Sequence, residues 1–140
     1  MTVQPYLFFD GRCEEALEFY KTALGATVDM LMRFSENPDR ASAGQMQLPP
    51  GAENKVMHAA FKVGDTQILA SDGHCAGKAI FQGFGLALNA KSDAEAEKLF
   101  AALGKGGQVM MPLGKTFYAS SFGMVTDKFG VLWMVIAETA

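Results

Sequence analysis

Few side chains in this 140-residue chain can do chemistry, and the histidine at position 58 is the most informative of them. His58 lies in Val56-Met57-His58-Ala59-Ala60-Phe61-Lys62-Val63, an alternating run. Met57, Ala59, Phe61 and Val63 point one way; Val56, His58, Ala60 and Lys62 point the other. Imidazole ordinarily titrates near neutral pH, so a histidine on the less apolar face of a strand is a candidate general base. It is equally a candidate structural histidine, held by a hydrogen bond. Asp72 closes the following strand and could orient His58 or bind a ligand hydroxyl, although Asp before Gly commonly makes a turn. His74 falls in the loop beyond. Convergence of His58, Asp72 and His74 would build a metal site of unfamiliar layout.

A second group is aromatic and thioether rather than acid–base. Phe117 and Tyr118 lead into a C-terminal hairpin whose return strand carries Trp133 and Met134. These four could form the apolar wall of a ligand site, with the phenol as a hydrogen-bonding handle, or simply fill a core. Trp133 and Met134 are adjacent on one strand, so only one of them can face a cavity. Nine methionines would suit an adaptable pocket or an adaptable core alike. Cys13 and Cys75 form neither a disulfide framework nor a C-x-x-C pair, and read as reduced thiols of a cytoplasmic protein.

Bulk properties narrow the classes. The net charge is −3 and no basic stripe is interleaved with aromatics, which argues against nucleic acid. Apolar runs fall short of the roughly 18 residues that cross a membrane, and the first residues lack a basic region and a long apolar stretch. A chain this long supports one ordinary domain.

The elements that would position these side chains occur twice. Pro5–Phe9 reads as a strand. Cys13–Leu24 reads as a helix with Ala16, Leu17, Tyr20, Ala23 and Leu24 on one face and Gly25 as its C-terminal cap. Ala26–Phe34 is a second strand, and 56–63 and 66–71 form a hairpin about Gly64-Asp65. Between them, 35–55 is a long non-periodic stretch, a flap over a pocket or an element of a subunit contact. The order then restarts. Phe84–Asn89 is a strand, and Ser92-Asp93-Ala94-Glu95 is a capping box opening a helix that ends at Gly104. Gln108–Met111 is a strand, and the last hairpin turns at Asp127-Lys128-Phe129-Gly130. Glu15-Ala16, Phe19-Tyr20 and Leu24-Gly25 match Glu95-Ala96, Leu99-Phe100 and Leu103-Gly104. The expected fold is therefore α+β, two tandem βαβββ modules over about 1–75 and 83–140 in one domain. Their sheets would join into a curved mixed sheet with a concave pocket opposite the helices.

Ala16-Leu17-Glu18-Phe19-Tyr20 with Leu24-Gly25, inside this duplicated arrangement, resembles the vicinal oxygen chelate superfamily of glyoxalase I, extradiol dioxygenases and the bleomycin and fosfomycin resistance proteins. Pro5-Tyr6-Leu7-Phe8-Phe9, Ser71-Asp72, Gly83-Phe84 and the segment Phe122-Gly123-Met124-Val125-Thr126-Asp127-Lys128-Phe129-Gly130-Val131-Leu132-Trp133-Met134 resemble its PhnB-like branch, also labelled 3-demethylubiquinone-9 3-methyltransferase. The resemblance covers nearly the whole chain. It implies a glyoxalase-like fold, a homodimer and, in the metal enzymes, His, Gln or Glu ligands on the first and last strand of each module. At the corresponding positions stand Gln4, Ala70, Gly85 and Met134, a poor set for a divalent cation. No glycine-rich strand-to-helix loop points to a nucleoside cofactor either. The expectation is a protein that binds a small, partly apolar molecule without metal or other cofactor. The alternatives are a metal-dependent lyase, isomerase or dioxygenase with displaced ligands, and an acid–base enzyme using His58.

Overall fold

A computed structural model describes residues 1–36, 51–73 and 78–138. The chain divides into two compact units, Met1–Ala79 and Ile80–Ala140. The first contains strand β1 (Tyr6–Phe8), helix α1 (Cys13–Leu24) and strands β2 (Thr27–Arg33), β3 (Val56–Val63) and β4 (Thr66–Ser71). The second contains β5 (Leu86–Ala90), α2 (Asp93–Gly104), β6 (Gln108–Gly114), β7 (Ala119–Thr126) and β8 (Leu132–Glu138). Each unit builds a four-stranded mixed sheet, in the order β1-β4-β3-β2 and β5-β8-β7-β6. The order is the same in both: the first strand lies parallel to the last, and the remaining neighbours are antiparallel. The fold is α+β with two tandem βαβββ modules.

Local chemistry explains why the helices begin and end where they do. Gly25 closes α1 in the left-handed region, at φ 67°, and its amide bonds the Tyr20 carbonyl. In α2 the Ser92 hydroxyl accepts from the Glu95 amide at 3.1 Å. The Glu95 carboxylate returns to the amide of Lys91, one residue before the expected Ser92. The first arrangement satisfies a carbonyl of the last turn and the Ser92 cap an amide of the first, groups that a helix leaves without an internal partner. Strand β6 extends past the expected Met111 to Gly114, with two register irregularities against β7. Pro112 is tolerated because β6 is an edge strand, where an amide need not join a ladder.

Each sheet has one face against its helix. In the first unit Tyr20 of α1 stacks on Phe61 of β3, ring centroids 5.7 Å apart and 11° from parallel. Alternation and pairing then put Leu7, Leu31, Ala59, Ile68 and Ala70 on that same helix-facing side. In the second unit a Cβ at Gly123 would lie 2.8 Å from the Phe100 ring of α2. Gly123, Val125, Trp133 and Val135 therefore face the helix. The absence of a side chain at Gly123 is what lets helix and sheet approach so closely.

Segments 37–50 and 74–77 lie outside the described residues, so the flap or contact element read for 35–55 is described only at its ends. Those ends are short 3-10 turns, Phe34–Glu36 and Ala52–Asn54. Among the described residues no helix is long and apolar enough to cross a membrane.

Candidate functional site

The helix-free face of the first sheet carries the chain's most suggestive chemistry. Ala60 and Met30 are paired residues there, as are His58 and Met32 on the next row. Tyr6 pairs with Leu69, and Leu69 with Ala60. His58 thus looks away from α1, on a face made largely of thioethers, an aliphatic side chain and aromatics. Its partner is a residue that sequence reasoning missed: the Tyr6 hydroxyl lies 3.0 Å from His58 Nδ1. The two rings are 5.6 Å apart, and Tyr6 also lies 4.8 Å from Phe8, which is 52 % exposed. A signal was present, since Tyr is the only hydroxyl-bearing residue of the strand Pro5–Phe9. What could not be read was that β4 separates β1 from β3, so that Tyr6 reaches His58 across it.

Asp72 is elsewhere, and its role differs from those read for it. It is 1 % exposed. Its Oδ1 accepts from the amides of Gly11 and Cys13, and its Oδ2 from the amide of Val56, each at 2.8 Å. This carboxylate ties the turn after β1 and the N-terminus of α1 to the start of β3. All three bonds go to backbone, so it neither orients His58 nor presents a free oxygen to a ligand. Beside it, burial foremost, with Asp72 and then Glu14, pushes the Cys13 thiol far above its ordinary range. A thiol kept protonated in this way is a packing group rather than a nucleophile. His74 and Cys75 lie outside the described residues.

The second unit separates the four residues read as a ligand wall. Trp133 is 2 % exposed, in the helix-side core, and its indole Nε1 donates to Asp127 Oδ2 at 2.9 Å. The same carboxylate's Oδ1 accepts from the amides of Phe129 and Val131, closing the turn that Gly130 makes possible at φ 95°. Trp133 is therefore a core and turn residue, a correction to its reading as a wall. Met134 faces the other way, and pairing places Met111, Met124 and Met134 in one row across β6, β7 and β8. Phe122 lies on the same face, with Tyr118 edge-on to it at 5.8 Å. Phe117 is 98 % exposed and touches Tyr118 edge-on at 5.0 Å.

The donor set for a divalent ion can now be tested on the strands where the fold family would carry ligands. Ala70, one of the positions read as a ligand site, faces the helix; its neighbours Leu69 and Ser71 face away. Gly85 precedes β5, whose helix-free residues are Ala87 and Asn89, paired with Met134 and Ile136. Gln4 is engaged with Gln67 at 2.8 Å. The helix-free donors on these four strands are thus Tyr6, Gln67, Ser71, Asn89, the thioether of Met134 and one carboxylate, Glu138 at the end of β8. No cluster of three His, Cys, Asp or Glu occurs among the described residues. This set does not fit a hard or borderline cation, which takes several imidazole or carboxylate ligands.

Two sheets of this order, each with one helix on one face, define a vicinal oxygen chelate protein. A glyoxalase-related enzyme and a fosfomycin resistance protein share the fold at 18 % and 12 % identity, a likeness of fold alone. Within that class, the chain belongs to the PhnB-like family described as 3-demethylubiquinone-9 3-methyltransferase, whose model matches residues 1–136. It is 36 % identical to protein YjdN of Escherichia coli K12 over 138 residues, 96 % of this chain and 94 % of that one. Protein PA1353 from Pseudomonas aeruginosa is similar at 43 % identity and a TM-score of 0.85, covering 100 % of this chain and 99 % of its own. A PhnB protein from Bacillus cereus is similar at 26 % identity and a TM-score of 0.79, with 98 % and 99 % covered.

The family's description names methyl transfer, which implies a nucleoside-bearing methyl donor. The residues do not fit one. The amides of Gly11 and Cys13 at the α1 N-terminus are already taken by Asp72, and α2 is capped by its own Ser92. Neither helix offers the open amide cradle that nucleotide phosphates use.

Proposed function

We propose that the protein binds a small, partly apolar molecule against the helix-free sheet faces, in a site without metal. The observation that carries this reading is the Tyr6–His58 pair, a polar anchor among Phe8, Met30, Met32 and Leu69. Thioethers and aromatics adapt to irregular apolar shapes, while the pair fixes orientation. Met134 and Tyr118, with Phe117 at the rim, would serve the same purpose on the second sheet. The test is purification without chelator, followed by metal analysis and mass spectrometry of co-purifying small molecules. An apolar compound at stoichiometric level with no metal is the expected result; stoichiometric nickel, zinc, iron or manganese overturns it.

A second reading is acid–base catalysis at His58, favoured by the same Tyr6 contact, since a hydroxyl on one ring nitrogen sets which nitrogen carries the proton. Intact ligand affinity with lost turnover in His58→Ala would select this reading over plain binding. We also propose a cytoplasmic homodimer. Its support is the edge strand β6, where Val109, Met110 and Met111 stand exposed and a bare apolar edge favours pairing. A monomer by sedimentation at micromolar concentration would refute the dimer.

A further inference from the structure

Resting on the binding reading above, we infer that Tyr6 sets His58 as a hydrogen-bond donor, so that the site selects apolar molecules bearing a carbonyl or carboxylate. The contact between the Tyr6 hydroxyl and His58 Nδ1 admits two arrangements. Either the phenol donates to an unprotonated Nδ1, or a protonated Nδ1 donates to the phenol oxygen. An imidazole nitrogen is a far stronger base than a phenol oxygen, and a phenol is a good donor. The first arrangement is therefore the lower in energy at neutral pH. The neutral ring carries one proton, which must then reside on Nε2. Among the described residues no hydrogen bond occupies Nε2. The helix-free face around it supplies Phe8, Met30, Met32 and Leu69, none of which offers a strong hydrogen-bond acceptor, and Ser71, whose hydroxyl already accepts from the Gly73 amide at 3.1 Å. A ligand that buries its apolar body there must itself bring the acceptor, or it leaves the Nε2–H desolvated without a partner. A carbonyl or carboxylate oxygen meets that need. An ammonium group does not, because it has no lone pair and two donors would then face each other.

Two measurements test this. The first needs no ligand: nitrogen-15 spectra of the histidine side chains at neutral pH, with His58 identified by the loss of its signals in His58→Gln. The expected result is an unprotonated Nδ1 and a protonated Nε2 at His58. A proton on Nδ1 overturns the inference outright. The second uses two probes of nearly equal shape, 2-acetylnaphthalene and 2-isopropenylnaphthalene, the latter lacking the carbonyl oxygen. One hydrogen bond predicts a preference for the ketone of roughly two- to tenfold. The preference is retained in His58→Gln, which keeps a side-chain donor, and erased in His58→Leu. Equal binding of both probes to the wild type overturns the donor assignment while leaving the apolar binding face intact. Binding of neither probe overturns the inference and counts against the face as a site for aromatic compounds.

Discussion

Replacing Asp72 separates a structural carboxylate from a catalytic one. The side chain is buried and accepts three backbone bonds at 2.8 Å, from Gly11, Cys13 and Val56. In Asp72→Asn the remaining carbonyl oxygen can still serve Gly11 and Cys13, but the new NH2 group then faces the Val56 amide, donor against donor. Losing a bond to a charged acceptor and stranding a buried amide overlap as costs, and together amount to about 2–4 kcal/mol. Asp72→Ala strands all three amides, at about 4–6 kcal/mol. Total stabilities of roughly 5–15 kcal/mol make that a large share. Urea denaturation at neutral pH is the assay, and the Asn variant's midpoint should fall by about 1–2 M. His58→Ala is the control. Its single half-buried contact with Tyr6 should cost no more than about 1 kcal/mol. An Asn variant within about 0.5 kcal/mol of wild type would show that the three bonds do not hold the first unit together, because even one neutral buried bond is worth more. Where the Asn variant stays folded, its ligand affinity should match that of the wild type.

Other consequences can be checked separately. Trp133 is the chain's single tryptophan and is buried, so acrylamide should quench its fluorescence poorly until the protein unfolds; Trp133→Phe, which removes the donor to Asp127 and leaves a cavity, should cost about 2–3 kcal/mol in the same denaturation. A Cβ at Gly107 would collide with the Thr126 carbonyl oxygen and the Asp127 backbone, whereas at Gly114 the nearest contact is 4.0 Å away. Thermal melts should therefore show Gly107→Ala strongly destabilised, by about 2 kcal/mol or more, and Gly114→Ala close to wild type. The Glu14 carboxyl is held below its ordinary value of 4.5, first by its hydrogen bonds to Arg33. A carboxylate so depressed adds stability above that value and loses it as pH falls toward the folded-state pKa. Arg33→Gln should accordingly flatten the denaturation midpoint's dependence on pH below about 4.5.

Much of the fold was legible because its signals are local. The α1 helix occupies Cys13–Leu24, and β3 and β4 have the bounds that alternation around Gly64-Asp65 indicates. Strand ends were less legible: β5 covers Leu86–Ala90 rather than Phe84–Asn89, and β6 runs on through Pro112. Ladder partners decide where a strand stops, and those partners are remote in sequence. The candidate site was legible in part. The alternation of β3 put His58 on the side away from Phe61, and the opposed directions of Trp133 and Met134 were fixed by their adjacency.

Residue types and spacing were enough to establish the duplicated βαβββ order, the family, the helix caps and the alternation of each strand, because these depend on neighbours a few positions apart. Only the tertiary structure decided what Asp72, Trp133 and Tyr6 do. Asp72 meets the Gly11 and Val56 amides, Trp133 turns inward to Asp127, and Tyr6 reaches His58 over the intervening β4. The physical reason is that a buried carboxylate, an indole N–H and an imidazole each demand a partner, and the strand order 1-4-3-2 determines which partner lies within about 3 Å.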